Sequence, residues 1–291
     1  MNGFLLVNKD KNCTSHDVVA KIRRITKCKV GHLGTLDPFA TGMLPIAIGK
    51  ATKFADYFLN QNKCYKFSIK WGEDTDSLDL TGNITKNSSS RPKLANLKVT
   101  LEKFKGKITQ IPPQFSALKI NGKAAYKYAR KGEHVEIKAR ELKIFDLDIL
   151  SFNEVEAEFL VYCSKGTYVR SLARDICSDL NVCGYVNKLN REYVDLFKNF
   201  SSNLSANKIF LNATLADVDR NIIKIDEVVK TKYNYAINHK NFKKLSNGLK
   251  LSTNNLPFND NQDIKIKLGT EFCMVANIKY EYIKSKKLLT N

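Results

Sequence analysis

The sequence of 291 residues predicts an α+β protein on a mixed, largely antiparallel sheet, followed by a small β-rich C-terminal domain. Three observations carry that reading. Short strand and helix patterns mix without a clear βαβ repeat, an order that suits an α+β domain. "CYKFSIKWG" (64–72) and "EVEAEFLVYCS" (154–164) nearly alternate apolar and polar residues, as strands with one covered face do. From about 236 onward the chain shows only short β-like runs between Gly, Asn and Pro punctuation, as in "SNGLKLSTNNLPFNDNQD".

Taken in order, "GFLLVNK" (3–9) is the first strand. "SHDVVAKIRRITK" (15–27) is an amphipathic helix, with Ser15 as its cap and Val18, Val19, Ile22 and Ile25 as its apolar stripe. "MLPIAIG" is a short buried strand and "ATKFADYFLN" the helix after it. "KNSSSRP" (86–92) is a polar loop, and "TYVRSLARDICSDL" (167–180) is helical. Residues 113–141 hold seven Lys or Arg against three acids, with Tyr126 and Tyr128 interleaved, and read as an exposed basic excursion between sheet elements. A boundary near "VVKTKYNYAINHK" divides a domain over 1–235 from one over 236–291. The latter holds ten Lys, no Arg and four acids, a net +6 in 56 residues.

Composition narrows the function. With 43% hydrophobic and 10% aromatic residues the chain can pack a core. Its 48 Lys and Arg against 29 acids give +19, a balance that points to a polyanionic partner, since phosphate neutralisation releases counterions. The seven cysteines contain no Cys-x-x-Cys pair, and the four histidines form no pair at metal-ligand spacing. The expectation is reduced thiols in a cytoplasmic protein with no metal and no cofactor. The N-terminus reads as a strand rather than a signal peptide, and no run of 18 apolar residues suggests a membrane span.

One acid stands out. "HLGTLDPFATG" (32–42) places Asp37 between Leu36 and Pro38, where it reads on its own as a helix cap. Around it, "VGHLGTLDPFATGMLPIAIGKATKF" (30–54) resembles the nucleophile motif of the TruB-type tRNA pseudouridine synthases. "YKFSIKWGEDTDSLDLTG" (65–82), "IPPQFSALKINGKAAYKYARKG" (111–132) and "CSKGTYVRSLARD" (163–175) are similar to that family's other blocks, in the family's order.

The resemblance implies the pseudouridine synthase fold and a PUA-like C-terminal domain. It also implies isomerisation of uridine 55 in the tRNA T-loop, without metal or cofactor. Asp37 is then the nucleophile, Arg170 its ionic partner, and Tyr65 the residue stacking on the uracil and taking the C5 proton. Tyr168 and Leu189 contact the base. His32 fills the stack that the extruded uridine leaves, offsetting part of an extrusion cost of a few kcal/mol. The basic excursion matches the family's thumb, with Lys119, Lys123 and Lys127 on phosphates.

There are departures. "NKDKNCTS" carries Asp10 and Asn12 where the family has Pro and Gly, which bears on how Lys9 supports the active-site loop. Lys50 replaces a common acid, and "LNREYVDLF" departs from an Arg-rich stretch. A noncatalytic tRNA-binding or folding protein is the alternative on the same scaffold, and a guide-RNA-dependent relative is a third. The partner expected is the tRNA T-stem-loop, with no membrane, and the protein is expected to be a monomer.

Overall fold

A computed structural model describes residues 1–203, 213–229, 231, 233–252, 262–279 and 282–289. The stretch 253–261 of the C-terminal punctuation and Lys230 and Lys232 of the expected boundary lie outside the described residues.

The N-terminal part runs through β1 (Gly3–Lys9), α1 (Ser15–Thr26), β2 (Val30–His32), β3 (Thr41–Ile48), α2 (Ala55–Leu59) and β4 (Lys63–Trp71). Next come β5 (Glu73–Thr75), β6 (Ile84–Asn87), α3 (Leu94–Phe104) and β7 (Gly106–Gln110). The basic excursion holds β8 (Lys119–Ile120), β9 (Lys123–Ala124) and α4 (Ala125–Ala129). It leads into β10 (Arg140–Phe152), β11 (Glu156–Cys163), α5 (Val169–Asp179) and β12 (Gly184–Val194).

Eight of these strands form one sheet, ordered β1-β3-β12-β4-β11-β10-β7, with β2 paired to β3. Its one parallel pairing joins β12 to β3, where Asn190 meets Thr41 and Arg191 meets Gly42. Helices α1, α3 and α5 cover one face through Val18, Ile22, Leu97, Leu101, Leu172 and Ile176. Strand β11 alternates buried and half-buried residues as its sequence requires. Strands β1 and β3 are buried on both faces, because a second cluster built on Phe4, Phe54, Phe58 and Phe197 backs them. The result is α+β with a mixed, largely antiparallel sheet.

After α6 (Leu215–Arg220) and α7 (Ile225–Val228), a second sheet forms from β13 (Tyr233–Ile237), β14 (Leu251–Ser252), β15 (Asp263–Leu268), β16 (Glu271–Lys279) and β17 (Tyr282–Leu288). Helix α8 (His239–Ser246) precedes β14 and packs on β17. Val275 and Leu289 of this part enter the Phe4 cluster. Tyr57 of α2 donates to Asp263 Oδ2 of β15 at 2.7 Å, which ties the N-terminal part to the second sheet with a polar contact.

Two local readings change. Thr14, not Ser15, caps α1: its hydroxyl accepts from Asp17 N, and Asp17 returns a bond from the Thr14 backbone. Ser15 is freed for another task, described below. "ATKFADYFLN" divides into a 3-10 turn over Gly49–Phe54 and the five-residue α2.

Candidate active site

The loop between β2 and β3 carries Asp37. No helix follows it; Ala40 N bonds Asp37 O at 3.1 Å, closing a turn. The side chain therefore does not cap a helix, and its acceptors are left for another partner. Three fixtures hold the loop. Ser15 Oγ accepts from Leu36 N at 2.8 Å and donates to Leu36 O at 3.1 Å. Lys9, fully buried at the end of β1, donates to Asp10 O, Cys13 O and Pro38 O at 2.8–3.1 Å. Asn12, left-handed at φ 62°, sends its N–H to Pro38 O at 3.0 Å. Lys9 thus braces the loop although Asp10 and Asn12 replace the family's Pro and Gly.

Arg170 begins α5 and is not solvated there; only 4% of its side chain is accessible. Its Nη2 donates to Asp37 Oδ1 at 3.0 Å and its Nε lies in ion-pair contact with Asp37 Oδ2 at 2.9 Å, a two-pronged grip. Nη2 also reaches Phe115 O at 2.9 Å. Nη1 reaches Ser77 O at 3.0 Å and Asp79 Oδ2 at 3.3 Å. Three hydrogen bonds and ion-pair contacts to two carboxylates surround the guanidinium, which is what a buried arginine needs to offset several kcal/mol of lost hydration.

Asp79, absent from the sequence-derived set, is buried in the turn after β5. Its Oδ1 accepts from Ser77 Oγ, Thr81 N and Thr81 Oγ1 at 2.6–2.9 Å. The Asp-x-Thr spacing in "SLDLTG" is a signal for such a turn.

A cleft of about 370 Å³ opens over this pair. Asp37, Tyr65, Tyr168, Arg170 and Leu189 all line it, together with Lys63 and Arg191. Tyr65 comes from the central strand β4 and Leu189 from its neighbour β12. Tyr168 precedes α5, its N–H bonded to Gln110 Oε1 at 2.9 Å. Ser116, Ala117 and Leu118, from the start of the basic excursion, form part of the wall.

Charge in the cleft is set by burial against nearby cations. Burial pushes the Asp37 carboxyl above its ordinary value and Asp79 adds to this, while Arg170 and Lys9 pull it down. Burial likewise raises the Tyr65 phenol, and Arg191 opposes it by charge and hydrogen bonding. Burial lowers the Lys63 ammonium to about 8, helped by Arg191.

The other sequence-derived residues lie elsewhere. His32, half-buried on β2, is not among the residues lining the cleft. Burial lowers its pKa, with Arg191 and His16 adding to the effect, and its Nδ1 is buried without a hydrogen-bond partner. Lys119, Lys123 and Lys127 are exposed on the β8–β9 hairpin and α4. The hairpin turns through Asn121 (φ 48°) and Gly122 (φ 80°), a pair suited to two left-handed positions. Lys123 and Lys127 border a separate hollow with Lys131 and Glu133.

The chain has the pseudouridine synthase fold. Two solved chains share it. One, from an H/ACA RNP bound to a substrate RNA containing 2′-deoxyuridine, has a TM-score of 0.69 at 20% identity. It covers 99% of this chain and 85% of its own. Another, from a Cbf5-Nop10-Gar1 complex, scores 0.68 at 20% identity with the same coverage.

The family model described as TruB family pseudouridylate synthase (N terminal domain) matches residues 22–169, and the chain belongs to that family. The match includes Asp37 and Tyr65 and stops short of Arg170 and Leu189. The tRNA pseudouridine synthase B of Brucella ovis is 47% identical over 199 residues, 68% of this chain and 61% of that protein. That of Rhizobium meliloti is 42% identical over 221 residues, 76% of this chain and 71% of its own. The chain thus matches about three-fifths of the length of the Brucella relative.

Proposed function

We propose that this protein is a tRNA pseudouridine synthase that isomerises uridine 55 of the T-loop, with Asp37 as nucleophile. The observation that carries the reading is the two-pronged Asp37–Arg170 contact on the floor of a cleft that Tyr65, Tyr168 and Leu189 also line. A noncatalytic RNA-binding protein has no need to bury an arginine against two carboxylates at its binding cleft. The names of the Brucella and Rhizobium relatives support tRNA as substrate.

A base stacked inside an RNA loop cannot reach such a cleft, so the uridine is extruded first. Asp37 then acts as an ionised nucleophile, at ribose C1′ or uracil C6, with Arg170 holding its charge. The N1–C1′ bond breaks, the base turns, a C5–C1′ bond forms, and the bond from Asp37 to C1′ or C6 breaks to return the free carboxylate. Tyr65, stacked on the uracil, accepts the C5 proton as its phenolate, the form that Arg191 favours, and N1 gains one. Atoms and electrons balance within the substrate, so the reaction itself calls for no cofactor or redox partner. His32, kept neutral by its surroundings, occupies the vacated stack. The segment 113–141 closes on the RNA as a thumb, and the second sheet, from β13 onward, forms a PUA-like domain beside the catalytic domain, so that the expected boundary at 235/236 falls inside β13. The protein works as a monomer in the cytoplasm.

The test is pseudouridine mapping in tRNA from cells lacking the protein. Loss of pseudouridine at position 55 and its return with the wild-type chain are the expected results. A tRNA that keeps the modification refutes the assignment.

A further inference from the structure

Arg191 is a second buried arginine beside the same cleft, and the reaction as written asks of it only its charge. It is 1% exposed, and among the described residues no carboxylate lies within ion-pair distance of it. A charge without a counter-ion costs more to bury than Arg170's, so its retention calls for compensating bonds. Those bonds run to backbone. Nε donates to Met43 O at 2.7 Å, Nη2 to Gly34 O at 3.0 Å and Nη1 to Thr35 O at 3.4 Å.

The three carbonyls bracket Asp37 in sequence, two on one side and one on the other. In the sheet register Arg191 stands opposite Tyr65 on β4 and opposite Gly42 on β3. Gly42 has φ +101°, and a Cβ there would come within 2.4 Å of Arg191 O, so the close approach of the two strands needs glycine.

We propose that Arg191 is a positioning residue for the isomerisation. Its guanidinium fixes the 34–43 loop against β12 so that Asp37 and Tyr65 face one uracil at a set separation. The inference rests on the function proposed above and assigns a role within that site. Arg170 grips the nucleophile's carboxylate; Arg191 grips the backbone that carries it. Its charge also reaches the cleft, where it favours the ionised form of Tyr65 and the neutral form of Lys63.

The test compares Arg191→Met, Arg191→Lys and a core control, Phe67→Leu, in the full-length protein. Three quantities are read: the single-turnover rate on saturating T-stem-loop RNA, the Kd for that RNA, and hydrogen exchange of the Leu36 amide. Arg191→Met is expected to lower the rate about 100-fold, the size of effect an ångström-scale misplacement produces. Its Kd stays within about threefold, since the phosphate contacts are untouched. Leu36 exchange accelerates about tenfold as its bond to Ser15 loosens, and Arg191→Lys recovers part of both losses. Phe67→Leu leaves Leu36 exchange at the wild-type value.

Rate and exchange unchanged in Arg191→Met overturn the proposal. So does a rate that falls only in step with Kd, or Leu36 exchange that Phe67→Leu accelerates equally. A wild-type protein that converts no uridine strikes the proposed function instead, and Leu36 exchange still decides whether Arg191 anchors the loop.

Discussion

The cleft and the basic excursion meet at residues 116–118, yet they are built on opposite principles. Around Asp37 nearly every polar group has a fixed partner: Lys9 on three carbonyls, Ser15 on both ends of Leu36, Arg170 on five acceptors. Along Lys119–Lys127 the strands are two residues long and the lysines stand exposed. The difference follows from what each must do. A nucleophile works only if it is held before the substrate arrives, whereas phosphate contacts need charge within reach more than exact placement. Under the proposed function, rigidity is concentrated where a bond is broken, and exposed charge where a polyanion is gathered.

The largest effect that can break this comparison is at its rigid end. Asp37→Asn keeps the shape but exchanges one acceptor oxygen for an NH2 donor, and it cannot act as a carboxylate nucleophile. Conversion of T-stem-loop RNA should fall at least about 10³-fold, with RNA affinity unchanged within about threefold. Wild-type turnover by this variant would remove Asp37 from the chemistry. Next is Arg170→Lys. An ammonium has three donors in place of five and cannot grip a carboxylate in two-pronged fashion. A rate loss of about 10²-fold is expected. The carbonyls of Ser77 and Phe115, left short of donors, should lower stability by about 1–3 kcal/mol in urea unfolding.

How much of this was readable in the sequence varies from residue to residue. The strands at 3–9, 64–72 and 154–164 lie within a residue or two of their expected bounds, because a sheet with a covered face enforces period two. Ser15 looked like a cap because serine is a good one; Thr14 wins since only it sits three residues before Asp17, and Ser15 is consumed by Leu36. Asp37, Tyr65, Arg170, Tyr168 and Leu189 were named through family resemblance, not through pattern. Nothing local shows that residues 133 positions apart share an ion pair. Asp79 and Arg191 were passed over for the same reason. Each is one charged residue in a mixed run, and its burial is a property of strand order.

A smaller effect concerns pH. The Asp37 pKa lies above the ordinary aspartate value of 3.8, chiefly through burial, so the ionised nucleophile is complete only well above that pH and is lost as pH falls through the raised value. The single-turnover rate should therefore decline on the acid side at a higher pH than an exposed aspartate would give. An acid limb centred at or below 3.8 would show that Arg170 and Lys9 outweigh burial.

The smallest effect on chemistry, and the one that most sharpens the comparison, belongs to the exposed end. Replacing Lys119, Lys123 and Lys127 together by Gln should weaken RNA binding and reduce the steepness of its salt dependence. Each lost phosphate contact lowers the log–log slope by about 0.7–0.9, so three contacts change it by about 2–3. At saturating RNA the conversion rate should stay within about twofold, because none of the three lysines lines the cleft. That separation is the sharp expectation. If the rate at saturation falls with the affinity, these lysines place the uridine as well as gather the tRNA, and the excursion is part of the rigid machinery rather than its opposite. If the slope does not change, they face solvent, and the charge that holds the RNA lies on another face of the molecule.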